Sequence, residues 1–317
     1  MSLYEAQVVA ALDALGVRAP AAYLWFGQRF GVASDASLTA AISLRLLDDF
    51  YAAGAPRPER RRGPVMPSAE SGAFAGALYQ ANCGRGSWEA GWRVAAVDDE
   101  DAVVAVVRPD GLRLLAPGAD CRVEGSLTGV RVPKELAGLS PGILRAVGDA
   151  AAPADDEDRV RLSWNLTAVG AVTFVKRVTY ALNQAGVPFT IELLRDPAHY
   201  SERPAAELLL ARADAVAAIA LLRPLPRALG SHLSDGAPAF TKPLARGLAL
   251  AEEPAGAERF GEHRCRLLAE AVVDAGQRGL ATTAERLGAV REHFAANGLS
   301  LDAPYLQPGS IDAYDGS

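Results

Sequence analysis

The stretch from Val160 to Leu194 constrains the fold more than any other. Val160 to Leu166 reads as a strand, Thr167 as a helix cap, and the amphipathic run to Gln184 as a helix. Gly186 stops that helix and Val187 to Leu194 reads as the next strand, so a sheet with a helix laid on it is required. A third strand is expected at Ala206 to Leu210, followed by a helix near Asp214 to Leu222 that Pro224 and Pro226 interrupt. Two helices close the chain, about Glu262 to Gln277 and Thr283 to Asn297. The second opens on the capping box Thr282-Thr283-Ala284-Glu285.

Upstream, the period changes to that of strands at Trp92 to Val97, Ala102 to Val107 and Leu112 to Leu115. The last two are joined by the turn Arg108-Pro109-Asp110-Gly111. A capping box at Ser2 and a second helix from Asp35 to Ala53 predict a small N-terminal helical subdomain over 1–54. The basic, proline-rich 55–69 is expected as a linker, and 70–317 as the main body. Strands and helices do not alternate strictly. The expected class is therefore α+β, a mixed or antiparallel sheet with flanking helices.

Charge and composition exclude several functions. A net charge of −6 disfavours a nucleic-acid partner, which needs a basic surface. No apolar run reaches the roughly 18 residues of a membrane span, and the acidic start MSLYEAQVVAALDALG lacks the basic region of a secretion signal; no membrane partner and a cytoplasmic location are expected. The three cysteines form no C-x-x-C and the four histidines no H-x-x-x-H, so neither a metal nor another cofactor is expected. No glycine-rich loop with GK[ST], H-R-D or D-F-G occurs, which disfavours a kinase. Lysine is scarce: Lys134, Lys176 and Lys242 stand against 29 arginines. A lysine can lose its proton near neutral pH where an arginine cannot, so each is a candidate base.

Several motifs stand out: Ala81-Asn82-Cys83-Gly84-Arg85-Gly86, Ser163-Trp164-Asn165-Leu166, Leu182-Asn183-Gln184-Ala185-Gly186-Val187-Pro188-Phe189, Phe240-Thr241-Lys242-Pro243-Leu244, Phe260-Gly261-Glu262-His263-Arg264-Cys265 and Pro304-Tyr305-Leu306-Gln307-Pro308-Gly309-Ser310. Together they resemble those of the HopA-type effector family. The resemblance spans roughly residues 70 to 315 and departs from the family pattern at Ser201 to Ala206. It includes a biosynthetic branch from lanthipeptide and thioamitide pathways. It implies a phosphoserine or phosphothreonine lyase acting on a phosphorylated precursor peptide beside a kinase-like protein.

Such an elimination needs a base for the Cα proton, cations for the leaving phosphate and a proton donor. Lys242, in a Thr-Lys-Pro segment expected to be a loop, is the candidate base, and His263 the candidate donor. Arg259, His263, Arg264 and Arg266 crowd the first turn of a helix, where cations oppose the dipole unless an anion binds there. The bland alternative pairs them with Glu252, Glu253, Glu258 or Glu262. Lys176, Arg203 and Tyr200 complete the expected phosphate and substrate contacts, although Lys176 also fits a solvated helix face. The rival function is a non-catalytic module that binds a peptide or a kinase-like partner through the same cations.

Overall fold

The computed structural model describes residues 1–18, 21–58, 69–98, 102–124, 127–136, 142–153, 158–200 and 204–314. The chain begins with α1 (Leu3–Ala14), a meander of β1 (Leu15–Arg18), β2 (Ala22–Trp25) and β3 (Gln28–Gly31), then α2 (Asp35–Leu46), which runs into a π-helical turn at Leu47–Tyr51. After α3 (Ala69–Ala81) come β4 (Ser87–Asp98), β5 (Val103–Val107), β6 (Arg113–Pro117), β7 (Cys121–Glu124), β8 (Leu127–Val132), β9 (Glu135–Leu136) and β10 (Ile143–Val147). The C-terminal half holds β11 (Arg159–Trp164), α4 (Ala168–Gln184), β12 (Phe189–Leu194), β13 (Ala206–Ala211), α5 (Arg212–Leu222) and α6 (Leu225–Leu229). It ends with β14 (Lys242–Ala245), β15 (Leu248–Glu252), α7 (Phe260–Gln277) and α8 (Thr283–Ala296). The class is α+β.

Among the described residues, three antiparallel sheets form. The largest runs β14-β15-β11-β13-β12-β10-β9, and its strand pairs are all antiparallel. Register separates its two faces. Ala146, Ile191, Leu208, Leu162 and Leu250 lie opposite one another on an apolar face, and Trp164 on the same face packs against Phe174 of α4. Thr167 caps α4 by accepting from the Gly170 amide at 3.1 Å, and Gly186 ends it at φ 65°, where a side chain would be strained. The other face carries Arg145, Glu192, Glu207 and Ser163 in cross-strand register, with Arg161 two residues from Ser163. Helix α7 begins over this charged face.

The five-stranded sheet β6-β5-β4-β8-β7 has its own small core of Trp92, Val104, Val106, Ala116 and Val130. Its β5–β6 hairpin turns at Arg108 to Gly111, with Gly111 at φ 90° and its amide donating to Arg108 O.

The N-terminal segment holds the expected helices α1 and α2 and, in addition, short strands. Between α1 and α2 it forms the three-stranded meander, which a four-residue strand length hides from periodicity. Its Tyr4, Val8, Leu12, Ile42 and Phe50 join one apolar core with Phe260, Val290 and Phe294, because α1 packs on α8 and α2 on α7. Most of the expected linker, 59–68, lies outside the described residues.

Candidate functional site

The strands of the large sheet alternate apolar and polar residues, and the polar set converges where α7 begins. Arg145 of β10 donates from Nη2 to Glu192 Oε1 of β12 at 2.5 Å. Arg259, the residue before α7, donates from Nη2 to the other oxygen, Oε2, at 2.6 Å. Two guanidinium groups thus close on one carboxylate. Behind them Arg161 of β11 donates to Glu207 Oε2 at 2.7 Å and, from Nε, to Glu253. Glu253 Oε2 accepts from the Phe260 amide at 3.1 Å, so the anion at the start of α7 is the chain's own carboxylate.

The cluster is graded from buried to open. Arg161 and Glu253 are buried, the Glu192 side chain is 13 % exposed and the Arg259 side chain 49 %. Burial alone would raise the Glu192 carboxyl, but Arg259, Arg145 and Arg161 outweigh it and hold it below the ordinary range. Burial would likewise lower Arg161, yet Glu207 and Glu253 keep it above its ordinary value and firmly charged.

The residues expected from sequence are scattered around this cluster. Lys242 opens an edge strand instead of lying in a loop. Its Nζ donates to Asp312 Oδ2 at 2.5 Å and stands 5.5 Å from the Tyr305 ring centre. An amine donating to a carboxylate must first give up that contact to act as a base. Four strand spacings, about 19 Å, also separate β14 from β12.

His263 lies on α7 and is held down to about 4, by burial first and then by Arg264 and Arg266, so the ring is neutral at pH 7. A neutral imidazole lacks the proton that a donor role demands. Arg264 is fully buried: Nε donates to Pro304 O and Nη2 to Leu306 O, both at 2.8 Å, and Nη1 donates to His263 Nδ1 at 2.6 Å. Its function is to anchor the chain after α8. Arg266 is fixed by both oxygens of Glu258, at 2.8 and 3.0 Å, and by Glu270.

Lys176 is exposed on α4, across the sheet from α7, so it cannot share a pocket with the α7 residues. Tyr200 is buried against Phe74 with its hydroxyl on Leu194 O at 2.8 Å, a packing role. Arg203 lies outside the described residues. Among the described residues, no cluster of three or more His, Cys, Asp or Glu side chains is placed to hold a metal. No helix there is long and apolar enough to cross a membrane.

The model of the HopA1 effector protein family matches residues 135–306, which include the large sheet, α4 to α8 and every member of the charged cluster. The chain belongs to the HopA1 effector protein family. Two solved structures are similar to this HopA1-family chain. An effector protein from Pseudomonas syringae pv. tomato strain DC3000 shares 16% identity at a TM-score of 0.47, covering 86% of this chain and 96% of that one. An effector protein from Pseudomonas syringae pv. syringae strain 61 shares 16% at a TM-score of 0.44, covering 78% and 84%. No curated protein matches the HopA1-family chain in sequence.

Proposed function

We propose that the chain is a carbon–oxygen lyase that eliminates phosphate from phosphoserine or phosphothreonine of a ribosomal precursor peptide, leaving a dehydroamino acid, beside a kinase-like protein that installs the phosphate. The observation that carries this reading is the clamp on Glu192, one guanidinium on each carboxylate oxygen. Arginine presents the same fork to phosphate, and a dianion competes well with a singly charged carboxylate for two cations.

Phosphate entering between Arg145 and Arg259 displaces Glu192 and neutralises the cations that keep this carboxylate a weak base. Glu192 then takes the Cα proton. The electron pair forms the Cα–Cβ double bond, the Cβ–O bond breaks, and the phosphate leaves on the arginines with its bridging oxygen taking a proton from water. Arg161, paired with Glu207 and Glu253, holds those two carboxylates away from the departing group.

Mass spectrometry of a phosphothreonine peptide incubated with the protein tests this, with loss of phosphoric acid as the expected result. Glu192→Gln should keep peptide binding while slowing elimination at least about a hundredfold, and Arg259→Ala should weaken both. Undiminished elimination by Glu192→Gln would remove Glu192 as the base.

A second reading, a phosphopeptide- or kinase-binding module without chemistry, is favoured by one observation. The cluster's three arginines are already matched by Glu192, Glu207 and Glu253. Co-migration of the peptide without loss of phosphoric acid selects that reading.

A further inference from the structure

The segment after Ser310 crosses the edge of the large sheet without joining it. Among the described residues, no backbone–backbone hydrogen bond ties 311–314 to the body, and Ile311 is 82 % exposed. Two side chains hold it instead. Asp312 Oδ2 accepts from Lys242 Nζ at 2.5 Å and from the Tyr305 hydroxyl at 2.6 Å. Tyr314, 4 % exposed, donates its hydroxyl to Glu252 Oε1 at 2.7 Å. Its ring borders a cleft between the sheet and α5, formed by Leu162, Trp164, Leu222, Leu244 and Leu248, where about 130 Å³ stays open.

We propose that these are two seats of a peptide-binding groove, and that Asp312-Ala313-Tyr314 is its resident ligand. The groove takes a peptide carrying an anionic residue two positions before a tyrosine or tryptophan. The Tyr314 amide donates to Asp312 Oδ1 at 3.1 Å, a local turn that holds the carboxylate and the ring together, so one short segment fills both seats.

The first seat is a cation and a phenol hydroxyl on a single carboxylate oxygen, which suits a carboxylate or a phosphoryl group. The second requires a donor. Glu252 is buried, and its carboxylate is satisfied by the Tyr314 hydroxyl, the Gln307 amide at 2.7 Å and Arg212 Nε at 3.2 Å. Phenylalanine would bury the ring but leave that carboxylate short of a partner. The space beside Tyr314 approaches the roughly 150 Å³ that accommodates benzene, so the larger indole also fits. A tethered occupant competes at an effective concentration on the order of millimolar, so an outside peptide binds poorly until the tail is removed. This groove is separate from the Glu192 clamp, and its occupancy does not depend on phosphate elimination.

The test uses the full chain and its D312A/Y314A variant. Fluorescent probes are Ser-Ile-Asp-Ala-Tyr-Asp-Gly-Ser, the same peptide with phosphoserine in place of its first Asp, and the same peptide with Phe in place of Tyr. The variant is expected to bind one or both of the tyrosine-containing peptides at least tenfold more tightly than the parent. The relative affinity of these two tells whether carboxylate or phosphoryl is preferred. The Phe peptide should bind at least tenfold more weakly, and adding K242M should cut affinity tenfold. If the variant unfolds easily, adding the Tyr peptide in trans should raise its Tm towards the parent's. Equal binding by parent and variant, equal affinity for the Phe peptide, indifference to K242M, or no Tm recovery each overturns the proposal.

Discussion

Replacing Arg264 with methionine separates its anchoring role from any role on a ligand. The side chain is fully buried, and it is the donor to the Pro304 and Leu306 carbonyls. Leaving two carbonyls unsatisfied costs about 1–3 kcal/mol each. Burial, the largest influence on Arg264, lowers it from 12.5 to about 10, so the fold also holds a guanidinium at a cost of about 3 kcal/mol, which methionine relieves. The two carbonyls together cost about 2–6 kcal/mol, so the net change lies between a gain of about 1 and a loss of about 3 kcal/mol, read from the midpoint of urea unfolding. His263 supplies a second readout. With Arg264 gone, burial still depresses the imidazole but the adjacent cation does not, so its titration by NMR should move up from about 4 while staying below 6.5. A depressed histidine contributes stability that is present above its unfolded value near 6.5 and lost as pH falls through about 4. The variant should therefore lose less stability over that window than the parent. An unmoved His263, or a midpoint shifted by more than that range, would refute the reasoning, because Arg264 would then not act on the imidazole or not balance its anchoring bonds against its burial.

Lys176→Ala should leave both peptide binding and elimination unchanged in the mass-spectrometric assay, since α4 lies across the sheet from the Glu192 clamp. Gly261→Ala places a methyl against the Tyr51 ring and should destabilise by about 1–3 kcal/mol in the same urea titration. Deleting residues 1–54 uncovers Phe260, Val290 and Phe294, so the remainder should lose cooperative thermal unfolding by calorimetry. Acid should unfold the chain progressively. The Glu192, Glu258, Glu270 and Asp312 carboxyls are held below their ordinary values, and their contribution is present above the unfolded pKa, 4.5 for the glutamates and 3.8 for Asp312, and lost as pH falls below it, as circular dichroism can follow.

The C-terminal half was legible because its signals are local. Thr167, Gly186 and Thr282 each set a helix boundary through contacts within a few residues, and the structure keeps all three. The edge strand β14 was not legible. Pro243 between Lys242 and Leu244 indicates extended backbone but not a partner, and only pairing with β15 converts that backbone into a strand. The meander was not legible for the same reason, since Leu15 to Gly31 is recognisable as strand only when its three short segments lie side by side.

The site was less legible for a more specific reason. Glu253 and Glu258, both offered by the sequence as partners for the start of α7, meet the Phe260 amide and Arg266, but Arg259 takes Glu192, 67 residues away in β12, which no local pattern indicates. A signal for the charged cluster did exist. Arg161 and Ser163 in β11, Thr190 and Glu192 in β12, and Glu207 in β13 sit at alternate positions between residues that must be buried. A strand packed on both faces ordinarily reads as an apolar run. Polar or charged residues at alternate positions in β11 and β12, with Glu207 in β13 between them, therefore mark a face with its own electrostatic task, because taking an isolated charge out of water costs several kcal/mol unless an opposite charge meets it. Sequence alone can establish that these charges must meet. Which arginine faces which glutamate follows only from the strand order β11-β13-β12-β10, and that order places Arg145 and Arg259 on the two oxygens of Glu192.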